Sequence, residues 1–198
     1  MSLDTVHDIQ IAYRKLLNSM ARPGVISNLE EQAKKLEIEV GCNPSTMVLA
    51  LMLLDTEVTF HVVSQRAAQI TKLLNQLTYA KVVEVEQAQY IFVLNDAGSV
   101  ELEKALEMAK TGDLNNPHES ATVIVEADVV SGDSGLLLKG PGIKTGSVVH
   151  VKRSGDWIGI REQKNAEFPT GIDLVFVDPN HQLVCLPRTT QIVEQVIG

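Results

Sequence analysis

Apolar positions along this chain alternate between two periods. Val6, Ile9, Tyr13, Leu16, Leu17 and Met20 recur at three- and four-residue intervals, the signature of a helix with one buried face. Arg14, Lys15 and Asn18 fall on its wet side, and Thr5-Val6-His7-Asp8 has the form of a capping box. Pro23-Gly24 ends this helix and sets Arg22 against the negative end of its dipole. Glu30 to Glu39 is charged and weakly periodic, which fits a short exposed helix or a loop. Asn43-Pro44 pairs an N-cap with a proline at the first helical position, and Ser45 to Leu54 then runs apolar nearly all round, predicting a buried helix. Val58 to Val63 is β-branched and alternating, the pattern of a strand.

The same two patterns carry on downstream. Ile70, Leu73, Leu74 and Leu77 mark a second amphipathic helix, and strands follow around Lys81 to Val85 and Tyr90 to Leu94. Ser99 is placed to cap another helix, with Leu102, Ala105, Leu106 and Ala109 as its apolar stripe. Ala121 to Val130 predicts one long strand, Ser131 to Gly135 a turn, and Leu136 to Lys139 a returning strand. Val148 to Val151 reads as a short strand and Asp156 to Asn165 as a short helix. Ile172 to Val177 and Leu183 to Leu186 flank Asp178-Pro179-Asn180-His181, a hairpin in which Asn180 is the residue expected to tolerate a left-handed backbone. Helices alternate with strands in the first half and strands cluster in the second. The expectation is a single α/β domain over residues 1–198, a mixed sheet covered by helices.

Charge narrows the partners. Lys plus Arg number 17 against 25 Asp plus Glu, for a formal charge of −8. Such a chain lacks the basic footprint of a nucleic-acid binder and suits neither nucleic acid nor an anionic membrane surface. The longest apolar run, Met47 to Leu54, falls far short of a membrane span. The N-terminus has no basic, apolar and small-residue succession, so no secretory leader is expected and the cytoplasm is the expected compartment. Cys42 and Cys185 form no CxxC and read as small core residues in a reducing environment.

Candidate chemistry is sparse. The five histidines show no metal-ligand spacing, and His118-Glu119 are neighbours that a strand would point apart, so no metal is expected. Gly140-Pro141-Gly142 favours a structural turn over a phosphate cradle, because Pro141 supplies no N–H donor. Pro187-Arg188-Thr189-Thr190 sets a cation beside two hydroxyls. Arg188 suits a phosphate, and equally a structural tie to a carboxylate such as Asp173. Asp55, after a buried helix, is either a general base or a residue that terminates an element.

Five stretches, Tyr13 to Gly24, Leu53 to Glu57, Leu138 to Ile143, Asn165 to Leu174 and Leu186 to Thr190, follow one another across nearly the whole chain. In that order they resemble the phosphonate metabolism protein H family, core subunits of the bacterial carbon–phosphorus lyase machinery. The resemblance implies a fold similar to the large domain of pyridoxal-phosphate-dependent transferases, used without that cofactor or any other. It implies a homodimer that joins other lyase core subunits. It also implies support for transferring an alkylphosphonate to the ribose C1 of ATP with release of adenine, yielding a ribose 1-phosphonate 5-triphosphate. Asp55 and Asp173 are the candidate catalytic carboxylates, and Arg22, Arg188, Thr189 and Thr190 the candidate phosphate contacts. Two other readings stand beside this one: a free-standing enzyme or binding protein for a phosphorylated small molecule, and a degenerate transferase that still holds pyridoxal phosphate on a buried lysine, for which Lys139 is the nearest candidate.

Overall fold

A computed structural model describes residues 3–4, 6–36 and 41–194, apart from the side chains of Asp133 and Glu194. The elements are α1 (His7–Ala21), β1 (Ser27–Asn28), α2 (Glu30–Ala33), α3 (Pro44–Leu53), β2 (Thr59–Val63), α4 (Ala67–Thr78), β3 (Lys81–Val82), β4 (Tyr90–Val93) and α5 (Ser99–Met108). They continue with β5 (Thr122–Glu126), β6 (Val129–Lys139), β7 (Ser147–Lys152), α6 (Trp157–Lys164), β8 (Asp173–Val177), β9 (Gln182–Leu186) and β10 (Gln191–Glu194).

A seven-stranded sheet runs in the order β1-β9-β8-β5-β4-β2-β3. Strands β8, β5, β4, β2 and β3 are mutually parallel, while β9 is antiparallel to β8 and to β1. The central strands are apolar on both faces because both faces are covered. Phe60, Phe92, Ile124 and Val175 meet Leu16 of α1, Met47 and Leu49 of α3, and Ile70 and Leu74 of α4. Ile91, Val93, Val123, Val125, Leu174 and Phe176 meet Leu102 and Leu106 of α5 and Trp157 of α6 on the other face. There Trp157 and Phe176 lie with ring centroids 4.7 Å apart at a tilt of 58°. A second, antiparallel sheet, β10-β6-β7, joins that same layer through Leu138, Val149 and Ile192. The α/β class with a mixed sheet is therefore observed, with a second sheet the sequence pattern does not announce.

Several local expectations are corrected. Ala121 to Val130 is not one strand: β5 ends at Glu126 and β6 starts at Val129 in the other sheet. The predicted turn at Ser131 to Gly135 is a bulge inside β6, since Ser131 pairs with His150 while Leu136 pairs with the adjacent Val149. The extra residues loop out without reversing the chain. The buried face of α1 is also rotated. Asp8, Ala12, Leu16 and Ser19 are buried, whereas Val6, Tyr13 and Leu17 are exposed. Small and paired polar residues let α1 approach closely: Lys35 Nζ donates to Asp8 Oδ1 at 2.6 Å, and the Ser19 and Ser27 hydroxyls are 2.8 Å apart.

Capping follows the same logic, one residue displaced. Thr5 lies outside the described residues, and Asp4 Oδ1 accepts from the Val6 and His7 amides while Asp8 Oδ2 accepts from the Asp4 amide. Ser99 is the first residue of α5 rather than its cap, which is Gly98. In the β8–β9 hairpin the left-handed residue is His181 (φ 64°), not Asn180. Asp178 Oδ1 gathers the Asn180 and Gln182 amides and so fixes the turn one residue later. By contrast Asn43 caps α3 as expected, its Oδ1 accepting from the Ser45 amide at 2.9 Å.

Candidate functional site

Arg188 follows β9 and Asp173 opens β8, and the two meet where those strands lie side by side. Arg188 Nη2 donates to Asp173 Oδ2 at 2.6 Å and Nε to Oδ1 at 3.3 Å, while the Arg188 amide donates to Oδ1 at 2.7 Å. Nη1 donates to the Pro117 carbonyl at 2.7 Å, and Nη2 also reaches Ser120 Oγ. A guanidinium carries five N–H groups. One on Nε, two on Nη2 and one on Nη1 are occupied, which leaves a single N–H on Nη1. The pair is only partly buried, with side chains 17% and 13% exposed. The structural tie anticipated for Arg188 is thus present, and Asp173 is its anchor.

A cleft of about 340 Å³ opens beside this pair, lined by Pro141, Asn165, Phe168, Thr170, Arg188 and Thr189 among others. Thr189 faces it, but Thr190 is buried and its Oγ1 has no partner. Asp55 lies elsewhere. It is exposed and accepts from the Glu57 amide at 2.8 Å, closing the turn between α3 and β2. Three strand steps separate β2 from β8, roughly 14 Å at the usual spacing. Asp55 and Asp173 therefore do not converge on one substrate position. Lys139 is exposed at the end of β6, the central strand of the small sheet, so it is not the enclosed amine a Schiff-base lysine requires. Among the described residues no group of three or more His, Cys, Asp or Glu side chains assembles as a metal site. No helix among them is long and apolar enough to cross a membrane.

Three buried charged side chains escaped the sequence reading. Arg161 is 1% exposed, and its Nη2 donates to the carbonyls of Pro187 at 2.6 Å and Thr190 at 3.0 Å, holding the turn that carries Arg188. Burial depresses its pKa to about 10, with Asp173 opposing. Its signal was its place on the buried stripe of α6, after Trp157 and Ile160. Glu126, at the end of β5, accepts from the Asn43 amide and Thr46 Oγ1 at 2.7 Å each and from the Asn95 amide at 2.9 Å. Asp178 is buried in the β8–β9 hairpin, and its Oδ2 accepts from the Val130 amide.

Comparison with known proteins bears on this arrangement. Residues 2–193 match the profile of a family described as bacterial phosphonate metabolism protein (PhnH). The chain belongs to the PhnH family. It is 28% identical over 190 residues to the "Alpha-D-ribose 1-methylphosphonate 5-triphosphate synthase subunit PhnH" of Rhizobium meliloti (strain 1021), covering 96% of this chain and 92% of that protein. It is 30% identical over 185 residues to the "Putative C-P lyase subunit protein HtxG" of Stutzerimonas stutzeri, covering 92% and 85%.

The stretches that carry the PhnH resemblance are mostly neighbours in space. A side chain on Gly140 would stand 2.8 Å from the Thr189 carbonyl, and one on Gly142 would collide with the Ala21 carbonyl at the end of α1. Gly142 (φ 84°) thereby docks the Ala21–Gly24 corner, which holds the exposed Arg22, against the turn that also touches Thr189 and Thr190. Asn165 closes the group, its Oδ1 accepting from the Ile172 amide at 2.7 Å. The Leu53 to Glu57 stretch lies away from this corner, where α3 packs on α1.

Proposed function

We propose that this chain is a subunit of the carbon–phosphorus lyase apparatus. In this reading it supports transfer of an alkylphosphonate to the ribose C1 of ATP, with release of adenine, to give a ribose 1-phosphonate 5-triphosphate. The observation that carries the reading is the chain-long likeness to a relative named as a subunit of ribose 1-methylphosphonate 5-triphosphate synthase. The proposal includes a single cytoplasmic domain that pairs as a homodimer and docks with other core subunits. It also includes a scaffold like the large domain of pyridoxal-phosphate-dependent transferases, used without the cofactor.

Displacing adenine requires a proton for the leaving base, stabilisation of an oxocarbenium-like ribose and a held anionic nucleophile. Arg22, Thr189 and the one remaining N–H of Arg188 are the groups we assign to an anion at the cleft. Asp173 orients Arg188 and is a positioning residue. Asp55 receives no step. A free-standing enzyme needs a cation and a carboxylate both open toward the same substrate atom, and Arg188 spends four of its five N–H groups on the protein itself. That favours a subunit whose partners complete the reaction centre.

The test is adenine release from ATP and methylphosphonate. The chain alone should release none, the full set of subunits should release it, and omission of this chain should abolish it. Turnover by the isolated chain, or full activity without it, overturns the reading.

A further inference from the structure

Helix α1 carries more apolar surface than the fold covers. Its buried side runs through Asp8, Ala12, Leu16 and Ser19. A second line, Val6, Gln10, Tyr13, Leu17 and Met20, steps along the chain by four, three, four and three residues. That is the spacing of a helix–helix seam, and at 3.6 residues per turn it lies roughly a third of a turn from the buried side. Val6 is 78% exposed, Tyr13 45% and Leu17 48%. Single exposed apolar side chains are ordinary, but three on one seam form a patch. The patch is continuous with the interior, because Ile9 and Met20 on its border pack against the layer that holds Leu16, Phe60 and Phe92. Tyr90, at the start of β4, has its phenol raised by burial and then by the nearby Tyr13 hydroxyl and Asp55 carboxylate, which sets the seam beside the end of α3. There Leu51, Met52 and Leu53 are only half buried, although α3 is apolar nearly all round. The two helices thus leave one apolar strip uncovered.

The charges decide what covers it. The chain as a whole is acidic, at −8, but the outer flank of α1 is not. The one carboxylate in the helix, Asp8, is buried and held by Lys35 at 2.6 Å. Asp4, just ahead of the helix, is spent on the Val6 and His7 amides. Lys15 turns toward α2, where its Nζ lies 3.0 Å from Gln32 Oε1 and 4.0 Å from Glu31 Oε2. Asp55 stands on the opposite border, beyond Tyr13. The outer flank keeps Arg14, exposed between His7 and Asn18, with Arg22 past the last turn. A second copy docked two-fold and antiparallel through this strip would set Arg14 against Arg14. An anionic membrane surface is repelled by the rest of the chain. A helix with carboxylates on the flank facing Arg14 meets neither obstacle.

We propose that α1 and the end of α3 form the seat for an amphipathic helix of a different chain, one whose apolar stripe lies on Tyr13 and Leu17 and whose acidic flank faces Arg14. Gln10, the polar position in the seam, sets the register. The inference rests on the subunit reading above and adds the surface and the partner chemistry.

It is tested by co-expressing the full chain with the other lyase subunits and titrating their association. Tyr13→Ala combined with Leu17→Ala should weaken association by roughly thirtyfold or more in Kd, and Arg14→Glu by roughly tenfold. Tm should hold in each, because all three side chains are exposed. A photo-crosslinker in place of Gln10 reads the same seat without removing any contact residue named here. It should label one partner subunit, on a helix with Asp or Glu along one flank. Wild-type affinity in either variant, or a crosslink only to a second copy or to a segment lacking that acidic flank, overturns the proposal and leaves the subunit reading standing. A wild-type chain that associates with none of the subunits overturns both. Flotation with phosphatidylglycerol vesicles that Leu17→Glu abolishes overturns it in favour of a membrane.

Discussion

Asp173 Oδ1 accepts the backbone amide of Arg188 at 2.7 Å while Asp173 Oδ2 accepts the Arg188 side chain at 2.6 Å. One carboxylate thus holds both the chain and the guanidinium of the residue after β9. Removing one member of a largely buried pair strands the other, and the partial exposure here softens the cost to about 2–3 kcal/mol. Arg188→Ala should therefore lower Tm by roughly 4–12 °C for a chain of this size. A double-mutant cycle with Asp173→Ala should return a coupling above about 1 kcal/mol in urea unfolding. Independent, additive losses would show that the two residues do not act as a unit.

Glu126 makes a comparable knot at the other end of the paired strands β5 and β8. It is 2% exposed and takes three donors from two separate segments: the Asn43 amide and Thr46 Oγ1 at the start of α3, and the Asn95 amide after β4. Glu126→Gln replaces one accepting oxygen with an NH₂ aimed at a donor. The expected loss is about 2–3 kcal/mol, the worth of a hydrogen bond to a charged group together with an unsatisfied buried one. It should appear as a lower urea midpoint with an unchanged m-value. A midpoint within error of the wild type would mean that the site relaxes around the amide.

How far the sequence reveals this chain depends on whether the cause is local. Asn43-Pro44 and the β8–β9 hairpin were legible because capping and turn chemistry act over a few residues. The rotated face of α1 was not. Its apolar stripe through Tyr13 and Leu17 is real, but α1 packs through Ala12, Leu16 and Ser19, so tertiary fit overrides periodicity. The small sheet was hidden by the bulge between Ser131 and Leu136, which breaks the period-2 pattern of β6 and imitates a turn. At the candidate site, a carboxylate partner for Arg188 could be anticipated, whereas for Arg161 the stripe of α6 signals burial but not what the guanidinium holds. A buried cation that serves only backbone carbonyls leaves no complementary charge to find in the sequence.

The two thiols offer a check on burial. Desolvation raises Cys42 to about 12, with the Glu126 charge adding to it, and burial raises Cys185 as well. A raised thiol pKa favours the neutral folded form. Its contribution is fully present below the unfolded value of 9.0 and is lost as pH climbs toward about 12. Native protein at pH 8 should react with iodoacetamide more than tenfold slower than urea-unfolded protein, since the thiolate is the nucleophile. Stability should fall as pH rises above 9.0. Fast labelling of the native chain would place Cys42 in an open environment.

Phe168 gives the sharpest test of the subunit reading. It is 77% exposed, in a chain of only four phenylalanines, and lines the cleft beside Arg188 and Thr189. Nothing in the fold needs that ring in water, and truncating an exposed side chain changes stability by no more than about 0.5 kcal/mol. An aromatic at an interface centre, by contrast, is the residue type whose loss costs about 2 kcal/mol or more of association. Phe168→Ala should therefore leave Tm unchanged and weaken co-purification with the other lyase subunits by roughly thirtyfold in Kd. Growth on methylphosphonate as sole phosphorus source should slow in parallel. Association and growth that match the wild type would move the partner surface away from this cleft, and a fall in Tm would assign the ring to the fold itself.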